Sequence, residues 1–409
     1  MNRPPFSSTL YLALLAQLLF ALAFTVPMPI IPLYITDDLG ASEQWIGTAT
    51  LFVAWSSVAL RLPGGTLSDR YGRRRIMISG AILGLFASAI LILTHDVYWF
   101  LLGRLFGGMS LGLYTTAAKA LVADLAPPSR RGEAMGLSNA SFSSAVVISP
   151  LIGEALKNAF NFQSVWIASG VIFVLMFGLT WLLPNTRPTA SVAPNIRREI
   201  RATLNERGLW AALILMVGSG TLMTVMYTFY PLFAERKNLF ENAPAFMSVI
   251  SMSLGLSIWS LVDALVEPAA GRLSDRVGRQ FLIPPSLAIT VIGAIMLSQA
   301  NSTFFTYTSI AILALGWGAM RSMADAITQD AVAPLLRGTG SALLYTGFDL
   351  YVGLSAQLLS TSIDGDDFSV FFVAVILTAL LSGIFGFLSS LRLTTYDQRN
   401  PIQPSALGD

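Results

Sequence analysis

Apolar residues in this chain come in blocks of about 20 or more, separated by short polar breaks. A helix that crosses a bilayer needs about 20 consecutive apolar residues. On that measure the pattern predicts twelve spans, at roughly 9–35, 44–63, 76–94, 98–123, 134–156, 164–183, 209–234, 245–267, 281–299, 303–328, 340–362 and 368–390. The connections are short except for 184–208, a segment rich in proline and arginine. It divides the spans into six and six and reads as a linker with a short amphipathic helix near Ile196–Leu204. The first block follows a short polar leader and lacks a small-residue cleavage site, so it reads as a retained helix.

Composition supports this pattern. Only 12% of the residues are charged, against about 25% in soluble domains. So little charge leaves few surfaces for water, and the class is a multi-pass membrane protein. A net charge of +2 gives no basis for nucleic-acid binding. The chain has no cysteine and one histidine, His95 at a helix end. No metal-ligand cluster or phosphate-cradling loop is visible, so neither a cofactor nor enzyme chemistry is expected.

The basic residues orient the spans, because cytoplasmic loops hold the Lys/Arg excess. With the N-terminus inside, inner segments carry eighteen Lys/Arg residues and outer loops carry Lys157, Arg236 and Lys237. The outer loops are acidic instead, at Asp37, Asp38, Glu43, Asp364, Asp366 and Asp367. The expected location is the plasma membrane of a bacterium (the inner membrane), with both termini cytoplasmic.

A charged hinge, GGTLSDRYGRRR at Gly64–Arg75, returns as GRLSDRVGRQ at Gly271–Gln280. An offset of 206 residues lays Gly65, Asp69, Gly72 and Arg73 on Gly271, Asp275, Gly278 and Arg279. The same offset lays Asp124 on Asp330 and Arg131-Gly132 on Arg337-Gly338. One constant offset through loops and helices signals a duplicated six-helix unit. Duplicated transporter halves hold the substrate site at their interface near mid-membrane. Glycine suits the backbone of a tight turn at the hinge.

With these residues in place, the chain resembles the major facilitator superfamily. Gly65 to Arg73 matches that family's signature Gly-x-Leu-x-Asp-Arg-x-Gly-Arg, between the second and third spans. The resemblance implies an all-α membrane protein with twelve transmembrane helices in two pseudo-symmetric six-helix bundles, 1–183 and 209–409, around a central cavity. In the fourth span, GRLFGGMSLG supplies Arg104, Gly107, Gly108 and Gly112, without the family's usual glutamine. In the fifth span, Gly136, Pro150 and Gly153 fit the antiporter pattern, with Ala145 and Ser149 replacing two glycines. By the same resemblance, Asp69 docks on the start of the eleventh span in the outward-open state. Arg73 and Asp124 complete a charge relay, and Asp275 and Arg279 are the counterparts in the second half.

Ionisable residues inside a span cost about 2.5–3.5 kcal/mol on insertion scales and are functional candidates by default. Asp349, near the middle of the eleventh span, is the first proton-carrier candidate; its alternative is an ion pair with Arg61 or Arg321. Asp263 and Asp325 follow, although Arg321 and Asp325 lie four apart and could neutralise each other. Arg104 offers charge for an anionic group or for tuning a carboxylate. Arg61, Lys119, Glu154 and Glu267 lie near enough to helix ends to reach water. The first span has Gln17 but no charge, which favours an apolar cavity. Its candidate lining is Gln17, Trp55, Asn139, Tyr227, Trp259, Trp317 and Tyr345.

The expected function is proton-coupled export of small amphipathic or hydrophobic compounds by alternating access. The alternatives are an importer or facilitator for a sugar, organic acid or lipid-like solute, and a non-transporting membrane sensor. The expected partners are a small-molecule substrate, protons and the lipid bilayer, with the protein acting as a monomer.

Overall fold

The computed structural model describes residues 6–127, 130–187, 196–241, 250–332, 337–363 and 367–399. Asp364, Asp366 and residues 188–195 of the linker lie outside them. Twelve long helical segments run through the described residues. In the first half they are α1 (Ser8–Asp38), α2 (Gln44–Tyr71), α3 (Arg73–Leu93), α4 (Val97–Leu125), α5 (Arg131–Ala159) and α6 (Phe162–Leu182). In the second they are α7 (Arg207–Arg236), α8 (Ser251–Val277), α9 (Arg279–Ser298), α10 (Thr303–Ala331), α11 (Arg337–Ser360) and α12 (Ser369–Arg399). A short linker helix, Ile196–Leu204, precedes α7.

Nine of these are long and apolar enough to cross a membrane, and α2, bent by 43° next to Pro63, would be a tenth. The helices α4 and α11 have similar lengths but carry Arg104, Lys119 and Asp349 in their apolar stretches. Helices suit this setting because their backbone hydrogen bonds close within the segment. Ser7, Asp96 and Asn161 cap α1, α4 and α6, each accepting from a backbone N–H of the first turn.

The expected hinge turn is shorter than its glycine content implies. Helix α2 continues through Gly64 and Gly65 to Tyr71, and Gly72 alone makes the turn, at φ 99°. Gly278 repeats it at φ 100° between α8 and α9. Of the hinge glycines, only these two have the positive φ that glycine adopts without strain. Gly64 serves packing instead, since a Cβ there would come within 2.9 Å of Leu113.

Within the first half, α2 and α3 flank α4, and α1 packs on α5 and α6. Within the second, α8 and α9 flank α10, and α7 packs on α10, α11 and α12. Two contacts join the halves along their length, α2 with α11 and α5 with α8. The 206-residue offset exchanges these two contacts, so the interface carries the same pseudo-symmetry as the sequence. Each half has its own apolar core. A third core joins α1 and α7 at the ends far from the Gly72 and Gly278 turns, and includes Ile30, Leu33, Tyr34, Val225, Phe229 and Phe233. We call these the far side and the hinge side.

Both helices of that third core are irregular where they meet. Pro27, Pro29 and Pro32 lack the N–H that a continuous α-helix needs, and α1 passes through a 3-10 turn and a wide π turn at Tyr34–Asp38. Helix α7 has its own π turn at Val225–Phe229, just before Pro231. Such turns cluster at functional sites.

Candidate functional site

A cavity of about 120 Å³ lies between the halves, lined from α1, α2, α4, α7 and α11. Its wall is mostly apolar, with Phe24, Met28 and Ile31 from α1, Val53 from α2, Leu111 from α4 and Met223 from α7. Two charged side chains reach it, Arg104 from α4 and Asp349 from α11. Close packing of α4 on α2 fixes that wall. A Cβ at Gly108 would lie 2.3 Å from the Val53 carbonyl oxygen, and one at Gly112 would lie 2.3 Å from that of Ser57. Arg104 stands on the same face, one turn earlier.

Asp349 is paired across the halves. Its Oδ2 accepts from Arg61 Nη1 of α2 at 2.6 Å, and both side chains are about three-quarters buried. Lys119 of α4 is within electrostatic reach of Arg61, Asp349 and Asp325. In the second half, Arg321 of α10 binds two carboxylates of α8, Asp263 at 2.8 Å and Glu267. Its guanidinium also lies 4.6 Å from the centre of the Trp317 ring. The expected neutralisation of Asp325 by Arg321 is therefore replaced: Asp325 accepts from the Tyr345 hydroxyl at 2.7 Å. Helix position alone paired the two residues, but α8 presents nearer acids.

The far side is closed by polar contacts as well as by the shared core. Arg236 of α7 donates to Glu43 at the start of α2, at 2.5 Å. Burial pushes the Glu43 carboxyl up, and the Arg236 bond and charge outweigh it, so the group sits below its ordinary value. Glu154 of α5 is buried and accepts from the backbone N–H groups of Met252 (3.3 Å) and Ser253 (2.6 Å). These are free donors in the first turn of α8, where a carboxylate is stabilised. One turn deeper, Ser257 donates to the Val147 carbonyl at 2.7 Å. Thr48 and Gln357 bond across α2 and α11. All of these bonds lie at the Arg61–Asp349 level or on the far side of it.

On the hinge side, Arg73 bonds Asp69 and reaches Asp124 through Nε at 3.1 Å. Arg279 does the same with Asp275 at 3.5 Å and Asp330 at 2.5 Å. The two relays are equivalent under the offset read from the sequence. Among the described residues Asp69 pairs with Arg73 alone and remains about half exposed. Its expected docking site, the start of the eleventh span, adjoins residues 333–336, which lie outside the described residues.

The other expected positions divide clearly. Of the seven lining candidates, Tyr227 lines the cavity and bonds Ser260 at 2.8 Å. Gln17 is buried between α1 and α5, exchanging bonds with Ser138. Trp259 and Trp317 pack on each other in the core, with ring centres 4.9 Å apart. Trp55 and Asn139 are exposed, and Tyr345 holds Asp325. Of the fifth-span motif, Gly153 admits the Val26 carbonyl, which a Cβ would meet at 2.1 Å, while Gly136 meets nothing within 4 Å. Pro150 sits within α5 without ending it. Sequence reasoning placed Glu154, Arg61 and Glu267 near water, and the structure gives each a partner across a helix interface. Glu154 left one signal, an acid on the motif face next to Gly153.

Two pseudo-symmetric helical halves with a cavity between them are the architecture of a membrane transporter. Residues 13–356 match the model of the Major Facilitator Superfamily, and the chain belongs to that family as a multi-pass integral membrane transporter. It is 28% identical over 291 residues to the multidrug resistance protein MdtG of Enterobacter lignolyticus, covering 68% of this chain and 66% of that one, just under two thirds. It is 27% identical over 283 residues to MdtL of Escherichia fergusonii, covering 66% and 72%. The fold matches a bacterial homologue of the human lysosomal transporter Spinster, in an inward-facing and unoccupied conformation, with a TM-score of 0.82, 16% identity and coverage of 97% and 99%.

Proposed function

We propose that this protein exports small amphipathic or hydrophobic compounds in exchange for protons. The observation that carries the reading is the mostly apolar cavity between the halves, with an acid, Asp349, at its wall and in an ion pair that spans the halves. A proton taken by Asp349 removes the charge that holds Arg61, so loading the proton and loosening the α2–α11 contact are one event. The multidrug names of the MdtG and MdtL relatives support export. The arginine excess supports a cytoplasmic hinge side, so the closed far side corresponds to an inward-facing state. In this reading the working unit is a monomer in a bacterial inner membrane, with residues 1–183 and 209–409 as the moving halves. Asp69, Arg73 and Asp124, with Asp275 and Arg279, act as the latch that closes the hinge side in the opposite state.

The test is transport by purified protein in liposomes. An imposed pH gradient drives uphill substrate movement in the wild type, and Asp349→Asn abolishes it while substrate binding persists. Full gradient-driven transport by the variant defeats the proton role of Asp349. Gradient-independent equilibration by the wild type points to a facilitator instead.

A further inference from the structure

Arg104 is only 8% exposed, lines the cavity, and forms no hydrogen bond or ion pair among the described residues. Its Nε is fully enclosed without an acceptor. Arg61, Arg73, Arg279 and Arg321 each have a carboxylate partner. A buried guanidinium without a counter-charge is costly, and within a bilayer such a group marks a functional site. The same cavity holds a second unsatisfied group, the Ser57 hydroxyl, which is 1% exposed and without a partner.

Asp349 does not answer this charge. It lines the same cavity, but Arg61 holds its carboxylate at 2.6 Å. With that pair neutral, the charged side chains that line the cavity leave one net positive charge, on Arg104. A cationic ligand would have to displace Arg61 from Asp349 and tolerate Arg104. An anionic ligand meets a free guanidinium that presents planar N–H donors suited to a carboxylate. Around it Phe24, Met28, Ile31 and Met223 offer an apolar surface for the rest of the molecule. A single cation does not balance a dianion.

The geometry points to an amphipathic monoanion as cargo, its carboxylate-type head on Arg104 and its apolar body against α1 and α7. This rests on the transport reading above and names the substrate class for that site. The Ser57 hydroxyl offers a further donor to a polar group on the body.

Three probes with one ring system decide it: 2-naphthoate, 2-naphthylmethylammonium and 2-naphthalenemethanol. Binding to the purified full chain in nanodiscs is measured at neutral pH. The wild type should bind the carboxylate about tenfold or more tighter than the ammonium, the worth of one charge-assisted hydrogen bond. Arg104→Gln should remove that preference and leave the alcohol's affinity unchanged, while Arg104→Lys should retain part of it. Equal or tighter binding of the ammonium by the wild type overturns the assignment, as does an unchanged preference in Arg104→Gln. If that variant does not fold, the wild-type ranking alone decides. Failure of all three probes to bind also overturns it, while gradient-driven efflux of a neutral dye would leave the transporter reading intact. Naphthoate binding without gradient-driven transport defeats the exporter reading and leaves the anion site standing.

Discussion

Arg61 and Asp349 meet at 2.6 Å across the two halves of the molecule, where α2 runs against α11. The pair is mostly buried and lies beside the cavity. Removing one partner leaves a charge in a poorly hydrated interface, and removing both leaves none. The double variant Arg61→Gln/Asp349→Asn should therefore be less destabilised than the sum of the single variants. A coupling of about 0.5–3 kcal/mol is typical of contacting residues. Thermal unfolding in a single detergent measures it, and additive losses would show that the pair contributes no net interaction.

Glu154 accepts two backbone N–H groups at the start of α8. Glu154→Gln keeps the shape but presents a weaker acceptor and a donor toward a helix N-terminus, which favours the opposite charge. We expect the far side to open more often. Distance measurements between spin labels on the far ends of α5 and α8 should show a longer population. An unchanged distribution would limit Glu154 to a structural cap.

The Glu43–Arg236 pair responds to pH in the opposite sense from a raised carboxylate. The folded-state value of Glu43 is depressed, so its contribution to far-side closure is present at neutral pH. It is lost as pH falls through that lowered value, below the ordinary carboxylate range. Between pH 6 and 8, roughly, Glu43 stays ionised, and Glu43→Gln should not alter the pH dependence of transport there. It should weaken closure equally at each pH, read by the same far-side distances. A pH profile displaced by this variant would contradict the assignment.

Gly108 and Gly112 let α4 approach α2 to backbone contact. An added methyl at either must push the helices apart, because it meets main-chain atoms of Ser57 at Gly112, and at Gly108 main-chain atoms of Val53 as well as the Ser56 hydroxyl. Gly112→Ala should cost about 1–3 kcal/mol, as overpacking does. It should also displace the cavity wall that carries Arg104. Gly136→Ala, where a Cβ meets nothing within 4 Å, is the matched control and should not lower the melting temperature, since alanine favours the helix. Equal melting of all three proteins would refute the packing argument.

The two hinge relays differ in burial. Arg73 is 9% exposed and Arg279 24%, while Asp124 is 28% exposed and Asp330 58%. Better-hydrated ion pairs contribute less. Arg73→Gln should therefore lower the melting temperature more than Arg279→Gln. The reverse order would show that the second relay carries more than its exposure indicates.

The sequence by itself determined the number of long helical segments but not all of their ends, since α2 and α8 run on to the hinge turns past the expected spans. Runs of 20 apolar residues have one stable form in a bilayer, and the positions of Gly72 and Gly278 follow from local backbone demands. It also determined the repeat. Arg73 with Asp69 and Asp124, and Arg279 with Asp275 and Asp330, are the groups that the 206-residue offset equates. Those relays are legible because their partners lie within one local unit, an i,i+4 pair and a neighbouring helix. The tertiary structure decided the pairings between distant helices. Arg61 finds Asp349, Arg321 turns to Asp263 and Glu267 rather than to Asp325, and Glu154 reaches the start of α8. Depth along a helix is readable from one chain, but rotation about its axis and its neighbours are set by packing many helices at once. Arg104 shows both sides of this division. Its charge in an apolar span was visible in the sequence, and that no carboxylate among the described residues answers it became visible only once the neighbouring helices were in place.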